Sequence, residues 1–236
     1  AFLLSPGCGL ESIPFIAGPI DDEIEVVQET SRITFAHNDN DNDSDEFEGY
    51  DIYYKLYRDE EAGCDEGEPC DEDRLYILDE PVRTGPNRLL GRSYARMVYE
   101  PSPGEIPNIP VSDARKGSEF EITLDLFSGT LETQTDVIAS WNARQRALKR
   151  NVLTEQTAAN VYKSFLDAED YDDEDGDLED IFEENDDLES IQDVLNNDNL
   201  YISVYALGYG TDPGSLQALY SEPVFLGYVR IDPRTF

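Results

Sequence analysis

Histidine, methionine, tryptophan and cysteine are nearly missing from this chain of 236 residues. It has one histidine, one methionine, one tryptophan and three cysteines, and only four of its 17 cationic residues are lysines. Each shortage closes off a chemistry. With one histidine and no C-x-x-C pair there is no zinc-ligand spacing. There is no G-x-S-x-G elbow, so a Ser/His/Asp centre would have to recruit His37, which reads as a strand-end residue followed by Asn38 and Asp39. Neither G-x-G-x-x-G nor G-x-x-x-x-G-K-[ST] occurs, which leaves nucleotide binding without a fingerprint. No apolar run approaches the roughly 18 to 20 residues that span a bilayer.

Acid is abundant. Fifty-three Asp and Glu against 17 Lys and Arg give a formal charge of -36, a field that repels nucleic-acid phosphates and anionic lipid alike. Nucleic acid is therefore not an expected partner. Such a balance suits high salt or abundant divalent cations, and equally a well-solvated acidic surface. With 39% hydrophobic and 11% aromatic residues the chain can bury a sizeable core.

Alternation of apolar and polar residues predicts a mainly β protein. Strands are expected near Glu23–Gln28, over "SRITFA" with Ile33 and Phe35 on one face, and over "FEGYDIYYKLY". In the last, Tyr50, Ile52, Tyr54 and Leu56 share a face, opposite Tyr53, Lys55 and Tyr57. Further strands are predicted in "RLYILDEP", "RSYARMVYEP" and "EFEITLDLF", then "NLYISVYALGYG" and "LYSEPVFLGYVRI", where Pro223 interrupts the ladder. "PSPGEIPNIPVSD" reads as loop or polyproline-like.

From Asp136 the period shifts toward a helix, with Val137, Trp141, Arg144 and Leu148 on one stripe. A second helix is expected after a Thr154 cap through Ala158, Val161, Tyr162, Phe165 and Leu166, and a third from Leu178 to Leu195.

The strand grammar resembles a fibronectin type III or related immunoglobulin-like sandwich. "ITF" and "GYDIYYKLY" look like its strands B and C, with Phe35 where a tryptophan is typical, and "LYISVYALGYG" and "YSEPVFL" look like F and G. Tyr201 matches the tyrosine that anchors strand F in such folds. The expected fold is an antiparallel β-sandwich, residues 19–232, with a long mixed insertion at about 58–198 containing two or three helices.

The cysteines bear on location. Cys64 and Cys70 enclose five turn-forming residues that a disulfide could staple in an oxidising compartment, leaving Cys8 unpaired. "FLLSPGCGL" resembles the end of a bacterial lipoprotein signal peptide, which implies acylation of Cys8, with residues 1–18 as signal remnant, lipidation site and tether. The chain is then similar to cell-envelope lipoproteins of spirochaete-like bacteria, anchored in the membrane through lipid alone and facing the periplasm or the exterior. The alternative is a small apolar N-terminal strand with a buried free thiol.

Acidic runs invite a calcium reading. Placing Gly176 at position 6 of an EF-hand loop puts Tyr171 at position 1 and Phe182 at position 12, so that motif fails. The groups Asp39, Asp41, Asp43, Asp45 and Asp172, Asp173, Asp175, Asp177 allow at most weak calcium binding, about 10⁻⁴ to 10⁻³ M. Cations cluster in "WNARQRALKR" and "RTGPNRLLGRSYAR", either as a docking patch for an anionic glycan or partner or as neutralisers of the chain's own acid. Tyr53 and Tyr57 offer a possible interaction surface. The expected function is a non-catalytic structural or interaction module for a protein or glycan, without a catalytic cofactor. The alternatives are a calcium-dependent adhesion module and a carbohydrate hydrolase using paired carboxylates.

Overall fold

A computed structural model describes residues 16–39, 42, 45–58, 76–77, 84–126, 136–153, 160–163 and 200–231. It is mainly β, and its sheets are antiparallel. The strands are β1 Ile24–Val27, β2 Arg32–Ala36, β3 Phe47–Arg58, β4 Ala95–Arg96, β5 Ile109–Pro110, β6 Glu121–Asp125, β7 Val137–Trp141, β8 Arg144–Leu148, β9 Arg150–Leu153, β10 Asn160–Lys163, β11 Leu200–Thr211, β12 Ala218–Tyr220 and β13 Val224–Ile231.

One sheet runs β1-β2-β6-β7-β8. Its inner face is written with period two: Ile33 and Phe35, Ile122 and Leu124, Val137, Ala139 and Trp141, and Leu148 are all buried. The outer face is polar. Arg32 pairs across the strands with Asp125 at 2.6 Å, and the hydroxyls of Thr34 and Thr123 lie 3.4 Å apart.

The other sheet is built on the long pairing of β3 with β11, in register from Leu200 opposite Arg58 to Gly210 opposite Phe47. β12 and β13 follow one another along the free edge of β11, with Pro223 in the gap, because proline cannot donate to the ladder. β4 and β5 take the outer edge of β3. Tyr50, Ile52 and Tyr54 of β3 and Ile202, Val204 and Ala206 of β11 face the first sheet and complete a shared core with Phe35, Leu124 and Trp141. Burying each such side chain contributes about 1.5–3 kcal/mol.

The register slips at Gly210, where β3 carries an extra residue beside Gly49. Gly49 has φ +152°, and a Cβ there would stand 2.2 Å from the Ile109 carbonyl oxygen, so only glycine fits between β3 and β5.

The opposite face of this second sheet is covered as well. Tyr53, Tyr205 and Leu207 pack with Ile77, Leu89 and Tyr94, and the Tyr94 hydroxyl lies 3.0 Å from that of Ser203. Leu89 belongs to the short helix Pro86–Leu90, which begins on proline as first turns tolerate. A sheet covered on both faces explains why β3 and β11 are apolar or aromatic on both.

The structure departs from four expectations. The helix predicted from Asp136 is the β7–β8 hairpin, turned by Asn142 and Ala143 with φ 46° and 60°, as a two-residue type I′ turn requires. Part of the second predicted helix, Asn160–Lys163, is strand β10, paired with β9. Among the described residues α-helix is confined to Pro86–Leu90 and the pair Tyr76–Ile77, which lies in the predicted strand "RLYILDEP". The third predicted helix lies outside the described residues. Ile16 and Ala17, expected in a tether, are buried, and the Asn42 side chain exchanges two 3.0 Å hydrogen bonds with the Ala17 backbone.

Candidate functional site

The proline-rich segment before Val111 is held from below by buried polar groups. Asp51, on β3, accepts from Arg96 at 2.9 Å and from the Asn108 backbone N–H at 3.0 Å. The side chain of Asn108 accepts from the Ile52 N–H and donates to the Met97 carbonyl, each at 2.8 Å. Arg96 also donates to the Glu105 carbonyl at 2.6 Å, so a single guanidinium ties the sheet edge to the loop. These bonds give an otherwise irregular segment a fixed path.

Arg146, from β8, clamps the same loop from the other sheet. It pairs with Glu105 at 2.6 Å, donates to the Asn108 carbonyl at 3.2 Å, and lies 4.6 Å from the centroid of the Tyr99 ring. Trp141, 4% exposed, donates its indole N–H to the Pro110 carbonyl at 3.1 Å. The hairpin tip and the loop are thereby locked together.

Between them lies a recess of about 70 Å³ lined by Val111, Ser112, Arg115, Trp141, Asn142 and Arg144. Ser112 and Arg115 come from one turn closed by a 2.8 Å bond from the Arg115 N–H to the Ser112 carbonyl. Arg144 stands opposite Trp141 across the hairpin. The Asn142 Nδ2 is buried and has no hydrogen-bond partner among the described residues. The recess is thus ringed by donors and by cations, in a chain dominated by carboxylates.

An acidic depression of about 640 Å³ opens beside Asp22, Glu23, Glu25, Glu119 and Glu121. Among the described residues no group of three His, Cys, Asp or Glu side chains is placed to hold a metal ion. Of the first aspartate group considered for calcium, only Asp39 and Asp45 are described, and the second group lies wholly outside the described residues.

His37, which directly follows β2, is fully buried. Its ring stacks on Phe120 at 4.5 Å and on Phe47 at 5.4 Å, and its Nδ1 lies 2.8 Å from the Tyr50 hydroxyl. Burial lowers its pKa from 6.5 to about 4, opposed by Asp39, so the imidazole is neutral at physiological pH. Burial likewise pushes the Tyr50 hydroxyl well above its usual range. The Nε2 of His37 has no hydrogen-bond partner among the described residues, and the aromatic rings around it make the group a core element.

Tyr53, expected on an open surface, is 4% exposed and packs in the second cluster because Ile77, Leu89 and Tyr94 cover that face. The side chain of Tyr57 lies outside the described residues, as do Cys8, Cys64 and Cys70. The two arginine clusters divide. Arg88 pairs with Glu222, Arg92 lies over the Tyr76 ring at 3.7 Å, and Arg96 is engaged by Asp51, so this cluster neutralises and packs internally. In the other, Arg146 and Lys149 pair with Glu105 and Glu100, while Arg144 makes no ion pair with any described residue. Arg115, Ser112 and Asn142 were not singled out from sequence, since a loop residue shows no period that would aim it at a hairpin tip.

No protein-family model matches the chain, and none of the curated proteins or solved structures compared with it is similar.

Proposed function

We propose that the chain is a non-catalytic interaction module of the cell envelope, a fibronectin type III-like sandwich attached to the membrane by lipid on Cys8. Strand order supports the fold part of this reading. β2 and β3 lie in opposite sheets, as strands B and C do in such folds, and β11 lies between β3 and β13, as F does between C and G. β7 and β8 extend the first sheet beyond that pattern.

The observation that carries the interaction part is the recess at the hairpin tip. It presents two arginines that pair with no described carboxylate, beside the single tryptophan, where buried hydrogen bonds tie the loop to the hairpin. Preorganised donors around a partly apolar recess are what a binding surface needs, since little is then lost to ordering on association.

Envelope attachment is tested by the intact mass and membrane partitioning of the encoded precursor expressed in a bacterium, with Cys8→Ala alongside. The proposal predicts loss of everything before Cys8, a mass gain matching acyl chains, and membrane association that the variant lacks. An unmodified Cys8 with both forms in the aqueous phase would contradict it.

A further inference from the structure

We propose that the recess between the β7–β8 turn and the Ser112–Arg115 turn binds one small organic carboxylate, gripped by the guanidiniums of Arg115 and Arg144. The inference rests on the reading of the chain as an interaction module and names the ligand class of its recess.

Charge accounting points there first. Arg32, Arg88, Arg96, Lys116, Arg146 and Lys149 are paired with Asp125, Glu222, Asp51, Asp113, Glu105 and Glu100. Arg115 and Arg144 make no ion pair with any described carboxylate, both are exposed, and both line the same recess.

The remaining lining specifies the ligand. Among the described residues no acidic side chain takes part, and Asn142 adds a buried Nδ2 that meets no described partner while Ser112 adds a hydroxyl. A site of donors selects a group that only accepts. About 70 Å³ admits a carboxylate and the carbon that bears it, with Val111 and the Trp141 ring to meet the apolar part. Guanidinium forks match the planar two-oxygen carboxylate. The chain's own field disfavours a doubly charged sulfate or phosphate and strongly opposes a polyanion, whereas a single negative charge meets the least repulsion. Because the arginines are exposed and solvent-screened, affinity is expected on the order of millimolar.

Trp141 is the only tryptophan, so its fluorescence reports on this recess alone. The wild-type protein is titrated with potassium acetate, potassium glucuronate and sulfate, with potassium chloride at matched ionic strength as reference. Arg115→Gln, Arg144→Gln and the conservative Arg115→Lys are titrated alongside, each first checked for a wild-type melting curve.

The expected result is a saturable change with acetate or glucuronate and none with chloride. Each Gln variant should weaken it at least fivefold, and Arg115→Lys, which keeps the charge and loses the fork, should fall between. A response to acetate without glucuronate assigns the site to free small acids, and the reverse to acidic sugars. No saturable response to either, an equal response to chloride, tighter binding of sulfate, or a response that both Gln variants retain would overturn the proposal. Since the titration is independent of acylation at Cys8, its failure and the failure of envelope attachment are read separately.

Discussion

Replacing Asn108 with alanine removes two hydrogen bonds and leaves their partners stranded in the core. Asn108 is fully buried, its Oδ1 takes the Ile52 N–H and its Nδ2 meets the Met97 carbonyl, each at 2.8 Å. The variant keeps the backbone bonds from Asn108 to Asp51 and from Arg146, because these use only main-chain atoms of residue 108. Each buried group left without a partner costs about 1–3 kcal/mol, so the side chain is worth roughly 2–6 kcal/mol. That is a large share of the 5–15 kcal/mol typical of a domain. Asn108→Asp can still accept from Ile52 but cannot donate to Met97, and it adds a second carboxylate beside Asp51, so it should be no milder. Urea unfolding followed by Trp141 fluorescence measures the loss, with the denaturant slope unchanged, and hydrogen exchange should show the Ile52 amide losing protection selectively. A loss below about 0.5 kcal/mol, with that amide still protected, would refute this account of the loop.

Other consequences follow from single groups. The one histidine should titrate by NMR near pH 4 rather than 6.5; the unfolded chain takes up that proton first, so stability present above pH 6.5 is lost as pH falls toward about 4, by roughly 3 kcal/mol. A titration midpoint between 6 and 7 would contradict its burial. Gly49→Ala should lower the melting temperature and destabilise by about 2 kcal/mol or more, since the new methyl meets the Ile109 carbonyl at a φ of +152°. Ala143→Gly should stabilise by about 0.5–1 kcal/mol in urea unfolding, because it relieves a left-handed alanine at φ 60° in the hairpin turn. Arg32→Ala, on an exposed pair, should cost less than about 1 kcal/mol in the same assay, since solvent screens it.

Strands with strict period two are legible in the sequence. Ile33 and Phe35, the alternating faces of "GYDIYYKLY", and the break at Pro223 all stand where the pattern put them. The β7–β8 hairpin was misread because Val137, Trp141, Arg144 and Leu148 satisfy a helical stripe, while the buried set is Val137, Ala139 and Trp141, in which small Ala139 carries little hydrophobic signal. Its turn also lacks the usual glycine, placing Ala143 at positive φ instead. Tyr53 was assigned correctly to the face opposite Tyr54. Its burial depends on Ile77, Leu89 and Tyr94, far enough along the chain that no local pattern announces it.

The recess was half visible. Arg144 belonged to a cluster whose internal and external roles only ion-pair geometry separates, and Arg115 reaches it through a loop pinned by Asn108, a polar residue in a stretch that reads as mere loop. Tertiary hydrogen bonds, not periodicity, bring these residues together.

The account stands or falls on where a carboxylate touches the protein. Backbone and side-chain NMR shifts, followed across the whole chain while acetate and glucuronate are added at constant ionic strength, answer this without assuming a site. The account predicts saturable shifts confined to Val111–Arg115, the Trp141 indole, Asn142 and Arg144. Shifts centred on other cations, or scattered without saturation, would contradict it.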